Sequence, residues 1–173
     1  MNYTDLENFM EVYGQDILSF CKYLTRNKEE AEDLCQDALV KGYEMSQHIE
    51  NAEHAKRFFL SVAVKLWKNR KRKYAWRSRI VDEQIIPKAQ VDMEKAYDED
   101  TPENLEIKKN EQDIVRSCVD SLSDKKRIVV LLYYTENLSE REIAEILGLP
   151  VGTVKSRLHQ AKTELSHMLS KRL

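Results

Sequence analysis

The sequence predicts an all-α protein made of two small helical domains, and three observations support this fold class. The 173 residues include only four Gly and three Pro, too few for the regular turns of an all-β chain. Apolar side chains recur at three- and four-residue steps, and no segment alternates as a strand does. This periodicity fails from Gln84 to about Thr101, and this segment includes an acidic run at 97–101, which is typical of a linker. We therefore expect domains at 1–83 and 105–173, joined by an acidic flexible linker at 84–104.

The first domain is expected to contain three helices. Asn27 can cap the second helix, and the polar segment Ser46–His54 separates it from the third. The third helix is predicted from about Ala55 to Arg79. Its candidate core residues are Phe58, Phe59, Val62, Ala63, Leu66 and Trp67.

The second domain is expected to end in a helix-turn-helix. A helix running from near Pro102 to Ser121 and another capped by Ser123 come first. Ser139 and Glu142 then form a capping box that opens a short helix, Glu140–Leu147. Gly148 ends this helix and Pro150 opens the next, predicted over about Val151–Leu169, because each residue suits that end of a helix.

Acidic and basic residues cluster in different segments of the chain, so the formal net charge of −2 does not describe any one segment. Residues 1–53 carry 12 acidic and 4 basic side chains, whereas residues 54–81 carry 10 basic and no acidic ones. A run of one sign is often only a solvated face. Complete exclusion of acids over this length indicates a polyanionic partner, most simply nucleic acid.

The outer face of the last helix has the chemistry of a DNA-reading helix. Two helices joined by a glycine turn can place the second in the major groove, where cations, amides and hydroxyls reach base edges and phosphates. Such helix pairs are common in proteins that bind no DNA, so the basic, acid-free strip from Val151 to Thr163 is needed to favour this function. The candidate residues are Lys155, Ser156, Arg157, His159, Gln160 and Lys162.

Other functional classes find little support in the sequence. No apolar run is long enough to span a membrane and the N-terminus does not resemble a signal peptide, so we expect a cytoplasmic protein. Cys21, Cys35 and Cys118 form no metal-binding spacing and are expected to be buried thiols, with a redox role left open. We predict no catalytic residues, no metal, no cofactor and no small-molecule substrate.

Two segments resemble bacterial RNA polymerase sigma factors, and in particular the extracytoplasmic-function (ECF) group. The run from Leu138 to Leu165, with Gly-Thr-Val-Lys-Ser-Arg at 152–157, is similar to sigma region 4, which reads the promoter −35 element. Ala31-Glu-Asp-Leu-Cys-Gln-Asp-Ala38 resembles region 2, which docks on the polymerase β′ coiled coil. The resemblance implies that Asp33, Gln36 and Asp37 make that contact.

The same resemblance assigns the basic helix to reading and melting the −10 element. Lys65 stands where many sigma factors have Asn, so the −10 sequence that those sigma factors recognise is not carried over to this chain. The segment Ser46–His54 corresponds to the loop that holds a flipped base, while Phe58 and Trp67 are expected to be core residues. The candidate −10 contacts are Lys56, Arg57, Lys65, Lys68, Asn69, Arg70, Arg72, Lys73 and Trp76.

The resemblance implies a set of partners. They are core RNA polymerase, through its β′ and β subunits, promoter DNA, and an anti-sigma factor that is often attached to a membrane. The linker would run through the polymerase channels.

The first alternative function is that of a helix-turn-helix regulator that binds duplex DNA as a dimer without polymerase. The second, a hydrolase or nuclease, is disfavoured because no catalytic constellation is recognisable.

Overall fold

The computed structural model describes the backbone of residues 3–45, 52–83 and 106–172. The chain divides into two compact units, Met1–Tyr97 and Asp98–Leu173. All regular structure in the described ranges is α-helical, which confirms the predicted fold class. The predicted linker at 84–104 lies outside the described residues.

The first unit has three described helices and the second has four. Side chains are described for residues 7–45, 54–77 and 111–172. The helices are α1 (Tyr3–Thr25), α2 (Lys28–Met45), α3 (Ala52–Glu83), α4 (Glu106–Ser121), α5 (Asp124–Tyr134), α6 (Glu140–Leu147) and α7 (Val151–Leu169).

In the first unit, α1, α2 and α3 all contact one another. The side chain of Asn27 accepts a hydrogen bond from the Glu30 backbone N–H at 3.0 Å, so the predicted cap of α2 is confirmed. Helix α3 extends a few residues beyond both predicted ends. Its start at Ala52 places the last three residues of the predicted loop Ser46–His54 in a helix. Residues 46–51 lie outside the described ranges.

Phe59 is the centre of the first core. Its side chain is fully buried, and its ring stacks on that of Phe9 with centroids 4.7 Å apart. On the α2 side the ring occupies the space that Gly42 leaves by having no side chain. Val62, Ala63 and Trp67 are buried as predicted, whereas Phe58 and Leu66 are half-buried at the margin of the core.

In the second unit α5 is the most deeply buried helix. Its residues from Arg127 to Leu132 are all buried, whereas α6 and α7 each bury one side only. The Arg127 guanidinium lies 3.2 Å from Asp124 on the same helix and 3.9 Å from Asp120 on α4. These two carboxylates offset the cost of burying that charge.

The capping predictions in this unit had different outcomes. Ser139 and Glu142 form the predicted capping box, and Gly148 ends α6 with a φ of 63°. Ser123 is the N-cap residue of α5, as predicted, but its hydroxyl accepts no hydrogen bond from the first turn. Its backbone carbonyl accepts hydrogen bonds from the N–H groups of Lys126 and Arg127, so the Lys126 N–H that a capping hydroxyl would bind is already paired.

Gly42→Ala is expected to destabilise the protein. A Cβ at this position would overlap the ring of Phe59, which is fully buried and cannot move aside. The free energy of unfolding should fall by about 1–3 kcal/mol, as in other overpacked cores. Urea unfolding followed by circular dichroism measures the change.

Gly14→Ala is the matched control, since it adds the same methyl group to a buried helical glycine. Here the new Cβ would meet only the flexible end of Met10, at 2.9 Å from Cε. Stability should be unchanged or rise by about 0.5–1 kcal/mol, because alanine is the better helix former. Equal destabilisation by both changes would show that the Phe59–Gly42 contact has no special role.

Candidate polymerase and nucleic-acid interfaces

Helix α2 presents the predicted polymerase-binding residues on its exposed side. Asp33, Gln36 and Asp37 are exposed, and their spacing places them on one face. The opposite side of the helix packs into the core through Ala31, Leu34, Cys35, Ala38 and Gly42. Val40, one turn beyond Gln36, is 54% exposed and adds an apolar group to the polar face. The sequence analysis did not single out Val40, although its spacing from Gln36 and Asp37 places it on their face of the helix.

Helix α3 carries most of the predicted DNA-binding residues on one stripe. Lys65, Asn69, Arg72 and Trp76 follow one another at steps of four, three and four residues, so they share a face. Lys68 lies beside this stripe. Trp76 is 66% exposed, so its ring is available to a partner. The face therefore combines cations, an amide and an aromatic ring.

Two of the predicted DNA-binding residues point away from that stripe. The Lys56 ammonium lies 2.8 Å from Asp16 of α1 and 5.7 Å from the centre of the Tyr13 ring. The Arg70 guanidinium lies 2.6 Å from the Asp37 carboxylate of α2. Both cations thus hold α3 to its neighbours.

Two further predicted DNA-binding residues lie on either side of the stripe. Arg57 is half-buried and Lys73 is exposed. Trp67 is 7% exposed, with the Lys71 ammonium 5.4 Å from its ring centre, so its expected role as a core residue is confirmed. Tyr74 is 71% exposed but lies on the side of α3 opposite Trp76.

The turn between α6 and α7 fixes how α7 is presented. Gly148 takes the left-handed conformation, Pro150 follows, and α7 begins at Val151. Val154, Leu158 and Ala161 are buried against the rest of the unit. The opposite face exposes Lys155, Ser156, His159 and Gln160. Lys162 is exposed on one flank, beside the buried stripe, and Arg157 is half-buried on the other flank.

Neighbouring helices hold two cations of the α7 face. The Lys155 ammonium lies 3.7 Å from Glu140 at the start of α6. Lys162 lies over Tyr133 and Tyr134 of α5, at 5.0 and 5.7 Å from their ring centres. Both contacts restrict long side chains that would otherwise be mobile. The two tyrosines were missed because sequence spacing alone does not show which helix they would face.

The three cysteines are free and buried, as predicted. A hydrogen bond from the Cys21 thiol lowers the pKa of Cys35, although burial acts in the opposite direction. Within the described ranges, no group of three His, Cys, Asp or Glu side chains could hold a metal ion. None of the described helices is long and apolar enough to cross a membrane.

Comparisons with known proteins identify both units. Residues 9–77 match the Sigma-70 region 2 family, and residues 112–165 match Sigma-70, region 4. The ECF RNA polymerase sigma factor SigW of Bacillus subtilis is 29% identical over 167 residues, which cover 94% of this chain and 87% of SigW. The RNA polymerase sigma-E factor of Streptomyces antibioticus is 31% identical over 146 residues, 83% of this chain and 72% of that protein.

A solved structure shares the fold. It is the sigma factor RpoE in complex with the anti-sigma factor NepR from Bartonella quintana. The TM-score is 0.73 at 20% identity, over 96% of this chain and 97% of that chain. The two region matches and the curated relatives establish the family. The chain belongs to the extracytoplasmic-function group of bacterial RNA polymerase sigma factors, non-enzymatic proteins that bind core polymerase and promoter DNA and direct transcription initiation.

Proposed function

We propose that this sigma factor uses three separate helix faces. The exposed face of α2, with Asp33, Gln36 and Asp37, docks on core RNA polymerase. The stripe of α3 reads and melts the −10 element, and the outer face of α7 reads the −35 element. Strand opening is driven by binding energy within the holoenzyme and requires no bond chemistry from this chain.

The residues of the α3 stripe are the main support for the proposal that this helix recognises the −10 element. Melted DNA exposes phosphates and unstacked bases, which favour cations and aromatic rings respectively. Lys65, Arg72 and Trp76 provide both on one exposed face, with the half-buried Asn69 between them. No acidic residue interrupts the helix between His54 and Val81. Lys68, Arg57 and Lys73 extend the basic surface on either side.

Lys56 and Arg70 have a bracing role in this proposal. Their contacts with Asp16 and Asp37 orient α3 against α1 and α2. Asp37 therefore belongs to the docking face and also contacts the DNA-reading helix. Exposed ion pairs contribute only about 0–1 kcal/mol each, so both can rearrange when the holoenzyme assembles.

The α7 face suits duplex DNA rather than melted DNA. Its cations can contact phosphates or guanine, while Gln160 and Ser156 can contact base edges. Lys155 and Lys162 are already restrained by Glu140 and the α5 tyrosines, which lowers the entropy lost on binding. We propose that Arg157, half-buried on the flank of the face, contacts a backbone phosphate.

An anti-sigma factor is the proposed regulator. The solved relative of the same fold is bound to one. An inhibitor that covers the α2 and α7 faces would block polymerase binding and promoter binding together, whether or not it is attached to a membrane.

Because core polymerase and promoters are cytoplasmic, we propose that the chain acts in the cytoplasm. We also propose that the segment at 84–104 tethers the two units through the polymerase channels.

Separate changes to the α2 and α7 faces should have separable effects. Asp33→Ala with Gln36→Ala should weaken core polymerase binding about tenfold or more, because polar groups of the partner lose their contacts. Lys155→Gln should leave core binding intact and weaken promoter binding while reducing its salt slope by about one unit. Fluorescence anisotropy measures core affinity, and run-off transcription at several salt concentrations measures promoter use.

Matched controls remove comparable groups outside these faces. Glu11→Ala removes an exposed carboxylate from α1, and Lys171→Gln removes an exposed ammonium beyond the end of α7. Neither should change core affinity or transcription. Loss of the same property in both the α2 and α7 variants would contradict the assignment of separate faces.

Trp76→Ala should impair promoter melting. Loss of a stacking ring costs about 1–3 kcal/mol per base, so the fraction of open complex should fall about fivefold to a hundredfold. Tyr74→Ala is the matched control, an equally exposed ring on the opposite side of α3. Permanganate reactivity of promoter thymines measures opening. If the Tyr74 variant were as defective as the Trp76 variant, the α3 stripe would not be the melting surface.

A further inference from the structure

The four glycines of the chain differ in whether the fold requires a residue without a side chain at that position. Gly42 is required by the ring of Phe59, and Gly14 is buried against Met10. Gly148 has a φ of 63°, a conformation that other residues adopt only with strain. Gly42 and Gly148 are therefore required by the fold, whereas a methyl group at Gly14 would displace only the flexible end of Met10.

Gly152 has no such reason among the described residues. A Cβ built on it meets no atom within 4 Å, and its φ is not positive. It is exposed near the start of α7, where glycine is a poorer helix former than alanine. The fold alone would therefore favour a larger residue at this position.

Gly152 lies on the face that we assign to the −35 element. With Lys155, Ser156 and His159 it follows the three- and four-residue spacing of one helix face. It is the first exposed residue of that face. The first turn of α7 has no acidic residue and no side-chain cap, so no carboxylate in it would repel a DNA phosphate. Helix α6, by contrast, begins with two glutamates and a capping box.

We infer that Gly152 is the point at which the backbone of α7 approaches the base pairs of the −35 major groove. A recognition helix contacts base edges with its N-terminal residues, so the group at this position sets how deeply the helix enters. Glycine allows the closest approach of a backbone to its ligand. Gly152 is thus a positioning residue that brings Lys155 and Ser156 within reach of the bases. The inference rests on the proposed assignment of α7 to the −35 element.

A methyl group at this position would act on DNA binding and on stability in opposite directions. It would hold the helix away from the groove floor and lengthen several base contacts together. A good base contact contributes about fivefold to a hundredfold in discrimination, so affinity should fall by about tenfold. The melting temperature of the free chain should stay the same or rise, because alanine favours the helix.

The test compares Gly152→Ala with Ser166→Ala in the full chain. Ser166 is also an exposed α7 residue, but it lies 14 positions further along the helix, about 21 Å from Gly152. Holoenzymes are reconstituted with core polymerase on promoters obtained by start-site mapping with the parent protein. Binding is measured on each intact promoter and on a copy with a scrambled −35 element. Thermal unfolding of each free chain is measured in parallel.

The inference predicts that Gly152→Ala loses about tenfold in affinity on the intact promoter and none on the scrambled copy. Core binding should be unchanged and the melting temperature should not fall. Ser166→Ala should bind both DNAs like the parent. Equal binding by the Gly152 variant and the parent, where the parent does prefer the intact −35 element, would overturn this inference alone. A parent holoenzyme indifferent to the −35 element would overturn the proposed function as well.

Discussion

The contact between Phe59 and Gly42 determines how the first unit presents its surfaces. The ring is fully buried, stacks on Phe9 and fills the space left by the missing side chain of α2. Because helical side chains have fixed angular positions, fixing Phe59 against α2 also fixes which residues of α3 face outward. The stripe from Lys65 to Trp76 is exposed as a consequence. The same packing brings Arg70 of α3 beside Asp37 of α2.

In the second unit, too, the packing of the core determines which helix face is exposed. Helix α5 is buried from Arg127 to Leu132, and α4, α6 and α7 all contact it. Helix α7 can bury only Val154, Leu158 and Ala161 against this core, so its opposite face is left for a partner. In both units a helix that completes the core also carries the proposed DNA-binding residues. Core substitutions on α3 or α7 should therefore affect function through orientation as well as stability.

Local signals explain what the sequence predicted well. Ser139, Gly148 and Pro150 act on their own backbone, and the bounds of α6 and α7 agree with the prediction. Tertiary contacts explain the differences. Composition identified α3 as basic, but it could not show that Lys56 and Arg70 turn towards α1 and α2. The tyrosines beneath Lys162 also depend on a neighbouring helix, so they became visible only in the structure.

The central claim is that two separate faces of one chain read a promoter only together with core polymerase. Footprinting of the chain alone and of the reconstituted holoenzyme, on the same promoter and with permanganate probing, tests this most directly. We predict that the holoenzyme protects the −35 and −10 segments and exposes reactive thymines in the −10 segment only, while the chain alone protects neither. Stable protection of a symmetric duplex site by the chain alone, unchanged by polymerase, would contradict the account.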